Sequence, residues 1–399
     1  MTGRGFLGHG GDLWRLTGAD FVLRTAYQMG KTPLLPLYAA ALGASDLMIG
    51  TVLSVSTLTG LMLKPLFGLL SDRGGRRLWL LIGLTLFATI PFLYRFVETP
   101  EELFALRLVH GTATAIFGPV GLAYIAEMGI ERRGERLGIY GMARSGGYFL
   151  APTLAALLLT VLPPEQVFTI IGFLSLAAAL PLAGLSSHRP ATRPAFRPAL
   201  AEGLRAIGAS AAFRLAALLE LAVHIATYAV KAFLPIFALT AMEVDLIVVG
   251  LFFSAQELAH TLLRPVGGRM SDRYGAVGTI SLGLLILAAA LTGLAFADSG
   301  FSLFPAAIGI GISLGLILPS TAALFAGEMP APTLGLGMGA LGALRNLGKV
   351  VGPVAAGALL AYVDHGQLFM LTALFVLAAA ALLATSGPGR GLSLRRGRP

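Results

Sequence analysis

Long apolar runs alternate with short polar turns from one end of the chain to the other. A helix that crosses a bilayer needs roughly 20 apolar residues. Twelve runs of that order can be placed, at about 16–41, 47–70, 78–97, 102–127, 137–162, 166–185, 213–239, 246–270, 277–297, 302–327, 335–361 and 367–385. Six lie before a polar stretch at 186–212 and six after it. The pattern predicts an all-α membrane protein of twelve transmembrane helices.

The two sets of six are copies of one unit. Lys64–Gly75 aligns without a gap to Arg264–Gly275, with six identities and Lys replaced by Arg. Asp20, Arg24 and Lys31 recur 200 residues on as Glu220, His224 and Lys231. At an offset of 201, Glu127, Gly141, Arg144, Gly147 and Pro152 recur as Glu328, Gly342, Arg345, Gly348 and Pro353. A chance match would not recur in separate segments at one offset. The domains expected are an N-terminal six-helix bundle at 1–185, a Pro- and Arg-rich linker at 186–212 and a C-terminal bundle at 213–399 with a short basic tail. An even number of spans in each half gives both copies one orientation, so the bundles are expected to be parallel and pseudosymmetric, a transporter architecture.

Charge then sets the topology. The stretches 71–77, 128–136, 186–212 and 271–276 hold eleven arginines, whereas those near 46 and at 163–166, 240–245, 298–301 and 363–366 hold neither Lys nor Arg. Basic loops stay on the cytoplasmic side, which places the linker and both termini in the cytoplasm and the protein in the cell (inner) membrane as a multi-pass chain. Trp14 and Trp79 fall at the cytoplasmic ends of spans one and three, where indoles prefer the interface. The formal net charge of +9 is spread over short loops rather than gathered on a domain, so topology explains it better than nucleic acid does. With no cysteine in the chain, disulfide, thiolate-metal and cysteine chemistry are excluded.

The turn after span two reads Gly68, Ser71, Asp72, Arg73, Gly75, Arg76 and Arg77. It resembles in full the cytoplasmic signature of the major facilitator superfamily, and the chain is similar along nearly all its length to that family's twelve-helix members. The second copy keeps Gly268, Asp272, Arg273 and Gly275 but has Ala276 and Val277 for the basic pair. The resemblance implies that these residues latch the halves in an outward-open state. Physically, Asp72 can accept hydrogen bonds from a helix N-terminus and Arg73 can pair with Glu127, with Asp272, Arg273 and Glu328 as second-half gating counterparts. A turn with topogenic arginines would account for the same residues.

Further segments extend the likeness. Leu103, Arg107 and Gly111 on span four resemble a second family motif with a buried arginine, and His110 stands where the family often has glutamine. Span five (Gly138, Gly147, Ala151-Pro152, Ala155-Ala156) and more closely span eleven (Gly339, Gly348, Gly352-Pro353, Ala356-Gly357) resemble the antiporter signature. Small residues permit close helix approach and a Gly-Pro step lets a helix bend; close packing alone would also select them. Pro33 and Pro36 are similar to the proline pair of drug/proton antiporters, which implies export. Those exporters of cationic drugs usually carry a carboxylate deep in span one, where this chain has Arg24, Gln28 and Lys31.

Ionisable residues within spans mark function by default. Asp20, Arg24, Gln28 and Lys31 share a sector of about 80° on span one, and Glu220, His224, Tyr228 and Lys231 repeat that face on span seven. Span eight adds Gln256, Glu257, His260 and Arg264; spans five and eleven add Arg144, Arg345, Asn346 and Lys349. Seven interior cations (Arg24, Lys31, Arg107, Arg144, Lys231, Arg345, Lys349) face three clear acids (Asp20, Glu220, Glu257), which suggests an anionic or zwitterionic solute held by Arg24, Gln28, Lys31, Arg107, Arg144, Tyr228, Lys231, Gln256, Arg345 and Asn346. Snorkelling or structural pairing would account for several of them. Glu220 with His224 and Glu257 with His260 are candidate proton carriers, since a buried carboxylate and a histidine can titrate near neutrality.

No phosphate-binding glycine loop, metal spacing or soluble domain points to an enzyme. The sequence therefore predicts a monomeric secondary transporter working by alternating access, without cofactor, drawing on the proton gradient and exporting a small organic solute. Efflux of amphiphilic drugs and metabolite uptake are the alternatives. The topology predicts that Ser187→Cys, the sole cysteine of such a variant, resists an impermeant thiol reagent in intact cells and reacts once the membrane is opened; labelling of intact cells would invert the assignment.

Overall fold

The structure, a computed structural model, describes residues 5–128, 132–186, 208–326 and 331–385, with side chains except at 5–10 and 331–335. All regular structure among them is helical. The first span is α1 (Gly5–Met29) and the short α2 (Leu34–Ala41); it is not the continuous helix the apolar run suggests. Pro33 lacks an amide proton and disfavours helical dihedrals at Thr32, so the helix stops and restarts there. Spans two to five are α3 (Asp46–Gly74), α4 (Arg76–Leu93), α5 (Pro100–Glu127) and α6 (Arg133–Leu159), and span six is divided at Ala178 into α7 (Pro164–Ala177) and α8 (Ala179–Ala183). In the second half α9 (Ala211–Thr240), α10 (Leu246–Tyr274), α11 (Ala276–Ala295), α12 (Gly300–Ala326), α13 (Ala331–Leu359) and α14 (His365–Thr385) supply the remaining six.

Local chemistry sets the ends. Thr99, Pro100 and Glu102 form a capping box with Pro at the first helical position, and Ser45 and Ser210 cap α3 and α9 through their hydroxyls. Gly75 (φ +87°) and Gly275 (φ +90°) supply the left-handed step that ends α3 and α10. One glycine suffices for each turn, so Asp72 and Arg73 lie in the last turn of a helix rather than in a loop.

Nine helical segments among the described residues are long and apolar enough to cross a membrane. The long helices that fall short, α1, α6 and α13, are those carrying Asp20, Arg24, Arg144, Arg345 and Lys349. The all-α, twelve-span fold stands, with three spans diluted by polar residues and glycines.

The chain divides into two compact units, Met1–Pro194 with Asp245–Ser254, and Ala195–Val244 with Ala255–Pro399. The start of α10 thus groups with the first unit. There Gly250 lies against Pro152, Thr153 and Ala156 of α6, and Ser254 donates to the Phe149 carbonyl at 2.7 Å. Most of the linker expected at 186–212 falls outside the described residues. Within each unit the same pairs of spans pack: α1 on α6, α4 on α5 and α7 in the first; α9 on α13, α11 on α12 and α14 in the second.

Between lipid-bathed helices close packing replaces the hydrophobic effect as the associating force, so small residues carry the contacts. A Cβ at Gly111 would stand 2.6 Å from Thr59, and one at Gly311 would strike Ala259 at 2.7 Å. The antiporter-like glycines do the same inside their own units. Gly147 seats α6 on Thr25 of α1, and Gly348 and Gly352 seat α13 on Leu221, His224 and Ile225 of α9. A Cβ at Gly348 would meet the Leu221 carbonyl at 2.7 Å, whereas Gly339 has open space around it. Gly348→Ala is therefore expected to lower the thermal unfolding midpoint in detergent by an amount equivalent to about 1–3 kcal/mol, and Gly339→Ala to leave it near wild type.

Candidate functional site

Each unit contains a sealed carboxylate clasped by an arginine from another span. In the first, Asp20 of α1 accepts from Arg144 Nε and Nη2 of α6 at 3.1 and 3.0 Å, with Arg24 at 3.5 Å. Tyr140 supports it: its hydroxyl accepts from Arg144 Nη2 at 3.0 Å and its ring centroid lies 4.9 Å from the guanidinium. In the second, Glu220 of α9 accepts from Arg345 Nε and Nη2 of α13 at 3.1 and 3.0 Å and from the Thr321 hydroxyl at 2.8 Å. Both carboxylates are buried. The fork of an arginine matches a carboxylate in two parallel hydrogen bonds, the strongest form of such a pair. His224, placed beside Glu220 by sequence, directs Nδ1 to the Glu220 backbone carbonyl at 2.8 Å and stands 3.6 Å from the carboxylate. Arg345 is the main partner of Glu220.

The second ionic group is more open. Lys231 Nζ donates to Glu257 Oε1 at 2.8 Å, and His260 Nδ1 is 3.4 Å from Oε2. Lys231 and Lys349 both stand 5.3 Å from the Tyr228 ring centroid, a favourable placement for a cation over an aromatic face. Gln256 is buried next to Glu257. In the first span, Lys31 sits in the break between α1 and α2 and donates to the Thr57 hydroxyl at 3.3 Å. Gln28 and Asn346 are partly buried on α1 and α13.

Arg107 departs from expectation. Charge cost alone calls for a carboxylate or a water-filled cavity, yet the side chain is fully buried among neutral groups. Nη2 donates to Ser56 at 2.6 Å, Nη1 to the Tyr94 hydroxyl at 3.3 Å, and the Tyr27 ring centroid lies 5.8 Å away. The Tyr94 oxygen is 3.0 Å from His110 Nδ1. Ser56, Tyr94 and Tyr27 are ordinary apolar-helix residues in the sequence and only the fold reveals their role; Thr321 and Tyr140 were hidden in the same way.

At the signature turn the arginine that engages Glu127 is Arg76, not Arg73. Arg73 is exposed, whereas Arg76 is buried and donates to Glu127 Oε1 at 2.7 Å and Oε2 at 3.3 Å, to Ser71 and to Asp72. The reason is the one-residue turn: Arg76 opens α4 facing back over the end of α3. Gly68 accepts from the Ser71 hydroxyl at 2.7 Å. In the second copy Asp272 and Arg273 are exposed, Arg273 lying over Tyr274, and Ala276 occupies the place of Arg76. Glu328 lies outside the described residues.

Duplicated helical bundles with charged faces inside the spans define a polytopic membrane transporter. The chain belongs to the Major Facilitator Superfamily, whose sequence profile matches residues 21–241 and again 216–397. It is 25% identical over 354 residues to a multi-drug resistance efflux pump PmrA homologue of Lactococcus lactis, covering 86% of this chain and 87% of that one. It is 25% identical over 374 residues to the multidrug resistance protein MdtG of Serratia proteamaculans, covering 91% and 89%. Among solved structures, the nucleoside transporter NupG superposes with a TM-score of 0.78 at 17% identity, covering 93% of this chain and 98% of that one. A bacterial homologue of the lysosomal transporter Spinster superposes at 0.75 with 16% identity, covering 96% and 97%.

Removing one partner from a buried ion pair strands the other charge, whereas neutralising both is far milder. Arg345→Met is expected to destabilise the protein by about 3–5 kcal/mol and Glu220→Gln, added to it, to recover much of the loss in thermal unfolding. No recovery in the double variant would mean that the pair is not the stabilising element.

Proposed function

We propose that this superfamily transporter exports a small organic solute, anionic or zwitterionic, in exchange for protons. The observation that carries the reading is the charge balance of the interior, where, apart from the enclosed Arg107, Arg24, Lys31 and Arg144 accompany Asp20 in the first unit, and Lys231, Arg345 and Lys349 accompany Glu220 and Glu257 in the second. Charges at that depth are costly unless matched, and an excess of cations matches a negatively charged group on the solute. Export is supported by the efflux names of the relatives and by the proline pair on span one. Glu257 is favoured over Glu220 as the proton carrier, because Glu220 is sealed under Arg345 and Thr321 whereas Glu257 is held by a single lysine and a histidine.

The reading places the chain in the cell membrane with both termini in the cytoplasm, acting as a monomer by alternating access without a cofactor, with Asp72, Arg76 and Glu127 stabilising one of its states. Efflux of diverse amphiphiles is the second reading, favoured by the multidrug names of the two relatives. A single assay separates them. In everted vesicles, an imposed pH gradient is expected to drive accumulation of organic anions or zwitterions, to collapse with a protonophore, and to be lost in Glu257→Gln. Accumulation confined to lipophilic cations would favour the second reading and sink the first.

A further inference from the structure

Among the described interior ion pairs, Lys231–Glu257 is unlike the others. The carboxylates differ: Asp20 and Glu220 retain 1% and 0% side-chain exposure under arginines that retain 27% and 34%, whereas Glu257 retains 14% beside Lys231 at 17%, so both members of this pair are partly exposed. It is closed by one lysine hydrogen bond of 2.8 Å rather than by an arginine fork. Two polar atoms on the same helix, Gln256 Nε2 and His260 Nε2, are buried with no hydrogen-bond partner.

We propose that this pair is a template for a zwitterion, a solute carrying an anionic and a cationic group a few covalent bonds apart. The inference rests on the transporter reading above and narrows its solute class. Parting Lys231 from Glu257 removes the counter-charge each holds in the other and leaves Glu257 the longer His260 contact at 3.4 Å, which is unfavourable for two partly buried charges. A pure anion replaces the counter-charge of Lys231 but not that of Glu257; a pure cation does the reverse. A zwitterion lying across the pair satisfies both, replacing one internal ion pair with two to the solute. Lys349, against the same Tyr228 ring as Lys231, adds positive field at the anionic end.

The charge of the solute also fixes the sense of coupling. A cationic group on Glu257 and a proton on Glu257 exclude each other, so a zwitterion and a proton compete, as exchange requires. An anion bound at Lys231 alone would instead leave Glu257 to take up a proton, and the two would travel together. The charged and titratable groups around Glu257 are Lys231 and Tyr228 from α9, His260 and Arg264 from its own helix, and Lys349 of α13 beside Tyr228; α11 and α12 carry no titratable side chain.

Three probes on one skeleton test this with the purified full-length protein: L-phenylalanine, 3-phenylpropionate and phenethylamine, their binding measured by calorimetry. L-Phenylalanine is expected to bind at least tenfold more tightly than either singly charged probe. In Glu257→Gln the order changes to favour 3-phenylpropionate, and in Lys231→Gln to favour phenethylamine; Glu257→Asp, which keeps the charge, keeps the wild-type order. A merely structural ion pair would weaken all three probes together. The inference is overturned by an order unchanged in both neutral variants, by no advantage for phenylalanine, or by binding of none of the three while vesicle export persists. That last outcome leaves the transporter reading intact, whereas absence of any gradient-driven export removes the reading beneath.

Discussion

A charge inside a bilayer must be matched inside the protein, and two of this chain's buried carboxylates are matched in the same way. Asp20 and Glu220 each bind a guanidinium carried about 125 residues further on. Each clasp joins the first span of a half to its fifth, the spans that Gly147 and Gly348 bring into backbone contact. Small residues allow the approach and the forked ion pair fixes its register. The remaining polar groups are arranged around these two fixed points. Glu257 is held instead by a lysine and a histidine.

Much of this was legible before the fold. The offset of 200 residues carried over into matching pairings of the first span with the fifth and of the third with the fourth and sixth in each half, and the signature glycines carried over into left-handed turns. Helix periodicity put Asp20, Arg24 and Lys31 on one face, yet it could not say that Asp20 reaches Arg144, because periodicity orders residues within a helix and says nothing of the neighbour it meets. The same blindness assigned Glu127 to Arg73. A single glycine at φ +87° rotates the chain so that the third residue after Arg73 faces back, and no local pattern records that rotation. The hydroxyl cage of Arg107 was hidden for a different reason: serine and tyrosine are unremarkable on a spanning helix until three of them converge.

Relatives of one fold carry efflux and nucleoside-transporter names, as expected where the fold is shared and the chemistry lies in a few side chains. In this chain two lysines stand against one tyrosine, and one of them pairs with a partly exposed carboxylate.

The joint between α3 and α4 is one residue long, and a joint of that length has no slack. Displacement at the end of α3 passes to α4 as torque instead of dissipating in a pliant loop. Arg76 braces the joint by gripping Asp72 behind it and Glu127 on α5, so three helices share the load as one stiff lever. The corresponding joint after α10 has the same glycine geometry but Ala276 where the brace would be. The duplicated halves therefore carry different side chains at the same joint, an arginine held by two carboxylates in one and an alanine in the other.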